Sequence, residues 1–141
     1  MAGLFSRFNR TQLFKINPES FVEGTWLTAE DVYRIDMEET GELQFHKLLG
    51  AWRHEFSEGS RIPGAPSYKY TIGIEMQEVD DQGEIIVKNY YCNVPSHMNK
   101  DFDAILADRR LVQAINEGHC LVQAFEYSSR GGDWFSFRFK E

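Results

Sequence analysis

Tyr68-Lys-Tyr-Thr-Ile-Gly-Ile-Glu-Met-Gln-Glu-Val79, Asp80-Asp-Gln-Gly83 and Glu84-Ile-Ile-Val-Lys-Asn-Tyr-Tyr-Cys-Asn-Val94 form the stretch whose reading decides the fold. Tyr68, Tyr70, Ile72, Ile74 and Met76 alternate with Lys69, Thr71, Gly73, Glu75 and Gln77. A period of two places the apolar residues on one face of an extended strand. Asp80 to Gly83 carries turn chemistry: aspartates that bond their own backbone and a glycine free to take positive φ. The stretch therefore predicts a long antiparallel hairpin. With Asp80 paired to Gly83, Met76 faces Val87, Ile72 faces Tyr91, and Glu75 faces Lys88 as an opposite-charge pair. Gly73 then lies across from Tyr90, whose ring covers the gap. The apolar alternation changes phase near Asn89, the place where a bulge would disturb this register.

Downstream, Pro95-Ser96 ends the strand, and Asn99 or Asp101 is placed to cap a helix carrying Phe102, Ile105 and Leu106. Asp108 caps a second helical set with Leu111, Val112 and Ile115, which Gly118 stops. A second hairpin follows. Leu121, Phe125 and Tyr127 share one face, Ser128 to Asp133 turns the chain, and Phe135, Phe137 and Phe139 alternate with Ser136, Arg138 and Lys140.

Upstream, the signals compete. Thr28-Ala-Glu-Asp31 has the form of a helix N-cap, yet Tyr33, Ile35 and Met37 alternate, and the alternation predicts a strand over 31–38. Phe45, Leu48, Leu49, Trp52 and Phe56 recur at helical spacing before Gly59 and predict a helix over 42–57. Gly50 inside it costs about 1 kcal/mol against alanine. Gly59 to Ser67 reads as a loop, Asn17-Pro-Glu-Ser20 as a turn, and residues 1–17 as an N-terminal arm before a single domain over 18–141. The expected fold is α+β: an antiparallel sheet built from the long central hairpin and the C-terminal hairpin, with helices packed on one face.

At 141 residues, 42% of them hydrophobic and 14% aromatic, the chain is long and apolar enough for one folded core. No apolar run approaches the about 20 residues that span a bilayer, so no membrane span is expected. The net charge of −7 is uneven: residues 1–17 hold Arg7, Arg10 and Lys15 with no acid, leaving 12 basic and 22 acidic residues, a charge of −10, in the body. An acidic body repels phosphates, so nucleic acid is not an expected partner. Cys92 and Cys120 lack metal or redox spacing and read as reduced structural thiols in a cytoplasmic protein.

Catalytic and metal chemistry find little purchase. His46 and His54, eight apart, would lie about 12 Å from each other on a helix, too far for one ion. His97 is isolated, and His119 and Cys120 are neighbours that point apart on a strand. No serine has a nucleophile-elbow context. Arg130-Gly131-Gly132 joins two strands rather than a strand and a helix, so it reads as a turn and not a phosphate loop. The doublets Glu38-Glu39 and Asp80-Asp81 read as solvated turns. No enzyme, cofactor or metal is expected.

Surface chemistry remains. Leu4, Phe5, Arg7, Phe8 and Arg10 on the arm, and Tyr90, Trp134 and Arg138 on the body, combine rings and arginines of the kind enriched at interfaces. They point to a non-enzymatic protein acting through contacts with other protein chains, copies of itself included. Such a protein would be a structural or assembly component, cytoplasmic or built into a particle. The element order helix, hairpin, helix, terminal hairpin resembles that of small phage tail-completion proteins, which form rings. The resemblance is one of order alone, and the first 40 residues depart from it. Two alternatives stand beside this reading. One is an acidic inhibitor or immunity-type protein blocking a basic surface. The other is a ligand-binding barrel, since Gly24-x-Trp26 resembles the short signature of lipocalin-like barrels.

Overall fold

The computed structural model describes residues 21–56 and 67–140, so the arm and most of the loop after Gly59 lie outside the described residues. In chain order the elements are β1 (Phe21–Leu27), α1 (Ala29–Glu39), β2 (His46–Glu55), β3 (Tyr68–Val79), β4 (Ile85–Asn93), a 3-10 turn (Ser96–Met98), α2 (Asn99–Ala107), α3 (Arg109–Asn116), β5 (Leu121–Ser129) and β6 (Gly132–Phe139).

The central hairpin forms, but one residue out of the expected register. Asp80 pairs with Glu84 rather than Gly83: its N–H donates to the Glu84 carbonyl at 2.9 Å, while Gly83 N–H donates to the Asp80 carbonyl at 3.0 Å. The loop is thus three residues long, with Gly83 at φ 80° closing it, a geometry glycine adopts without steric cost. Asp80 Oδ1 accepts from the backbone of Gln82 and of Glu84, each at 2.9 Å, and holds the turn. Consequently Met76 faces Lys88, Glu75 faces Asn89, Ile72 faces Cys92, and Gly73 faces Tyr91. Glu75 meets Lys47 instead of Lys88, and Lys88 meets Glu78 at 2.9 Å.

The shift decides which β4 residues enter the core. Tyr70, Ile72, Ile74 and Met76 are buried as their alternation requires, and Tyr90 and Cys92 join them. Tyr91 turns to the opposite face, where Phe21 stacks on it at 4.1 Å, Trp26 at 5.0 Å, and the Trp52 edge meets it at 5.3 Å. Gly73 makes room for these rings: a Cβ there would come within 2.9 Å of Phe21 Cζ.

Residues 28–55 reverse the sequence expectation. The segment expected as a strand over 31–38 is α1. A capping box decides it: Asp31 N–H donates to Thr28 Oγ1 at 3.2 Å, and Thr28 N–H donates to the Asp31 carboxylate at 2.9 Å. The segment expected as a helix over 42–57 is strand β2. Its register slips between Leu48 and Gly50, so Leu48 faces Ile74 while Ala51 faces Ile72. A β-bulge puts an extra residue between neighbours on one face, so core positions fall three apart and mimic a helical period. α3 starts on its expected cap, Asp108, whose side chain accepts from Arg110 N–H, and Gly118 at φ 78° follows its last turn. Neither Asn99 nor Asp101 caps α2. The 3-10 turn runs directly into it, and the Asn99 amide donates to the Tyr68 carbonyl at 3.0 Å.

The six described strands run in the order β1-β4-β3-β2-β5-β6. β1 is parallel to β4 and the other pairs are antiparallel, so the sheet is mixed and not wholly antiparallel as expected. Among the described residues it is open, with β1 and β6 as its outer strands, and Gly24-x-Trp26 belongs to β1 instead of closing a barrel. With the helix at 29–39 and a strand at 46–55, the element order behind the tail-completion resemblance also changes. Val32, Phe102 and Ile115, one from each helix, share a single core with Leu48, Ile72, Val122 and Phe137. Asp103 of α2 ties that helix to the sheet. It accepts from Tyr68 Oη at 2.6 Å, Tyr70 Oη at 2.5 Å and Arg53 Nη1 at 3.0 Å, while the Arg53 guanidinium lies 3.8 Å over the Tyr68 ring.

Candidate functional site

β2 pairs with β3 only as far as Lys47 opposite Glu75, while β3 continues to Val79. The hairpin end from Met76 onward therefore projects past its β2 neighbour. Between this overhang, the C-terminal turn of α1 and the start of β5 lies a cleft of about 590 Å³. An unequal strand length creates it, and the short β2–β5 pairing, only His46 to Val122 and Lys47 to Leu121, leaves its mouth open.

The inner wall of the cleft is a buried polar pair. His46 Nε2 lies 2.8 Å from Asp36 Oδ1, and Gln44 N–H donates to Asp36 Oδ2 at 3.2 Å. Both side chains are buried, and the pair fastens α1 to the first residue of β2. Four carboxylates line the cleft (Asp36, Glu39, Glu75 and Glu78) against one lysine, Lys47, whose Nζ is 3.7 Å from Glu75. Glu78 accepts from Tyr90 Oη at 2.8 Å and pairs with Lys88. Burial disfavours the Glu78 charge, yet the hydrogen bonds from Lys88 and Tyr90 outweigh it and hold the carboxyl below its ordinary value. Tyr90 is pushed up to about 12 by burial and by the same bond.

The outer wall is apolar. Val79 and Ile85 pair across the two strands next to the turn and line the cleft; Val87, two residues on along the same face, continues the apolar strip outside it. They are 67%, 68% and 53% exposed, large values for β-branched side chains. Phe45, on the other side of the cleft, is also exposed. The arrangement can hold an extended segment bearing cationic and apolar side chains. Among the described residues no cluster of His, Cys, Asp and Glu could hold a metal ion.

The residues singled out in sequence fare differently. Leu4, Phe5, Arg7, Phe8 and Arg10 lie outside the described residues. Tyr90, expected on the surface, is 8% exposed and belongs to the core, because the register shift turns it inward. Trp134 is half exposed near the β5–β6 turn. Arg138, on the same face of β6, bonds Gln123 at 2.8 Å and lies 4.7 Å over the Phe125 ring. The structure thus brings Trp134 and Arg138 to one face and leaves Tyr90 apart from them. His46 and His54 lie at opposite ends of β2, and His97 Nε2 is 2.8 Å from Ser136 Oγ. Cys92 and Cys120 are both free, and burial raises both thiols above their ordinary value.

The sequence does not mark Glu39, Glu75, Glu78, Val79 and Ile85 as a site: Glu39 reads there as part of a solvated turn, although it ends α1, and Glu75 as a partner of Lys88. One signal was available: Val79 falls on the polar phase of β3, with Glu75 and Gln77, and so breaks the alternation. Among the described residues no helix is long and apolar enough to cross a membrane. No protein-family model matches the chain, and comparison with curated proteins and with solved structures finds no match.

Proposed function

We propose that the chain acts without catalysis, through protein–protein contacts, as a structural or assembly component of a homo-oligomeric or multi-chain complex. The observation that carries this reading is the overhanging hairpin end, with Val79, Ile85 and Val87 exposed together on one face. Contiguous apolar side chains on a solvent-facing strand are disfavoured in a monomer unless a partner covers them. A strand end without a neighbour among the described residues also offers backbone groups to a further strand. In this reading the helices cover one face of the sheet. The opposite face, with Trp26 and Trp134 half exposed, is left to partners. The partners are other protein chains, copies of this one among them, in the cytoplasm or in an assembled particle. The acidic body argues against nucleic acid.

Sedimentation of the full chain over a concentration series tests the reading. A defined oligomer that dissociates in the Val79→Lys, Ile85→Lys double variant, while the thermal midpoint of that variant at high dilution is unchanged, is the expected result. A wild-type chain that stays monomeric throughout overturns self-assembly and favours the acidic inhibitor instead.

A further inference from the structure

We propose that the cleft beside β3 receives residues 4–10 of a second copy, Arg7 and Arg10 meeting the carboxylates and Leu4, Phe5 and Phe8 meeting the apolar wall. The inference rests on the assembly reading and names its contact. Charge complementarity is the first argument. The lining carries Asp36, Glu39, Glu75 and Glu78 against Lys47, whereas residues 1–17 carry three cations and no acid. Asp36 is turned to His46, Glu75 to Lys47 and Glu78 to Lys88, which leaves Glu39, exposed at the end of α1, without an ion pair among the described residues. An arginine is the natural complement of such a carboxylate, since its planar fork binds both oxygens.

Composition is the second argument. Phe45, Val79 and Ile85 are the exposed apolar side chains of the lining, so an occupant that offers apolar side chains next to its cations fits it. The segment Leu4-Phe-Ser-Arg-Phe-Asn-Arg10 offers three of the first and two of the second. Reach is the third. Phe21 opens β1, an outer strand of the described sheet, with β4 and β3 standing between it and the cleft. The residues between Arg10 and Phe21 extend at most about 35 Å, enough to pass from that edge to a neighbouring molecule.

Two charge variants of the full-length chain test the proposal: Glu39→Lys with Glu75→Lys in the cleft, and Arg7→Glu with Arg10→Glu in the arm. Each alone should weaken self-association about tenfold or more, with an effect that shrinks as salt rises. Mixing the two should restore association, because an intact arm on one chain then meets an intact cleft on the other. Glu39→Lys alone, at the exposed end of α1, replaces the cleft variant if circular dichroism shows that the double change unfolds. Self-association indifferent to both variants overturns this inference and leaves the assembly reading standing. Variants that weaken association without recovery on mixing overturn docking between copies in favour of docking within one chain. A wild-type chain monomeric at every concentration overturns both readings together.

Discussion

The two halves of β3 differ in alternation and in fate. From Tyr68 to Ile74 the strand is flanked by β2 and β4, and Tyr70, Ile72 and Ile74 are fully buried. Past Glu75 it keeps only β4 among the described strands; Met76 is still buried on the core face, while Val79, on the opposite face, stands in solvent. Each half is tied by a tyrosine to a carboxylate, Tyr70 to Asp103 and Tyr90 to Glu78. The first bond docks a helix on the core, and the second braces an overhang. Period alone reports which side chains share a face. Which of the two faces is covered, and how far along the strand, depends on what packs over it.

The largest contrast should appear on truncating an apolar side chain in each half. Ile72→Ala is expected to cost about 2–5 kcal/mol in urea unfolding, because it opens a cavity among residues that cannot collapse into it. Similar losses from Val79→Ala would erase the distinction between the halves. Next, Asp103→Asn should cost about 1–3 kcal/mol, since Tyr68, Tyr70 and Arg53 lose a charged acceptor.

That variant also carries a pH signature. Burial opposes the Asp103 charge, but the Tyr68 and Tyr70 hydroxyls and Arg53 outweigh it and hold the carboxyl below its ordinary value. A depressed carboxyl adds stability that is complete above the ordinary aspartate range and lost as pH falls through the lowered value. Acid should therefore destabilise the wild type more steeply than Asp103→Asn, and equal slopes would show that Asp103 titrates as it does in the unfolded chain. Somewhat smaller, Gly73→Ala should cost about 1–2 kcal/mol by displacing Phe21 from its stack on Tyr91, read as a shift of tryptophan fluorescence and of thermal midpoint. The smallest stability effect belongs to the overhang. Val79→Thr and Ile85→Thr should each stay within about 0.5 kcal/mol while self-association falls, and a large loss of monomer stability would place these residues in a core.

Much of the fold was legible, and the failures share a cause. Thr28 and Asp31 announce α1 through a local cap, while the competing Tyr33, Ile35, Met37 alternation misleads, since Met37 is exposed and carries no core load. In β2 the bulge after Leu48 produced a three-residue spacing that a straight strand cannot make. The hairpin register missed by one because Asp80 has two uses, as the first turn residue or as the last paired one, and only its bonds to Gln82, Gly83 and Glu84 separate them. At the cleft, the acids were legible as surface, but not as neighbours, since Glu39, Glu75 and Glu78 come from two distant segments.

By itself, then, the amino-acid sequence determined what short-range physics controls: both hairpins, the caps at Thr28 and Asp108, the stop at Gly118, the apolar phase of β3 and the acidic balance of the body. Tertiary structure alone decided the parallel placement of β1 beside β4, the rings gathered over Gly73, and the cleft under the hairpin overhang. Each of these depends on where one element ends relative to another far away in the chain. No local period or cap encodes that relation, because it is set by which complete packing buries the most apolar surface while leaving the fewest polar groups unpaired.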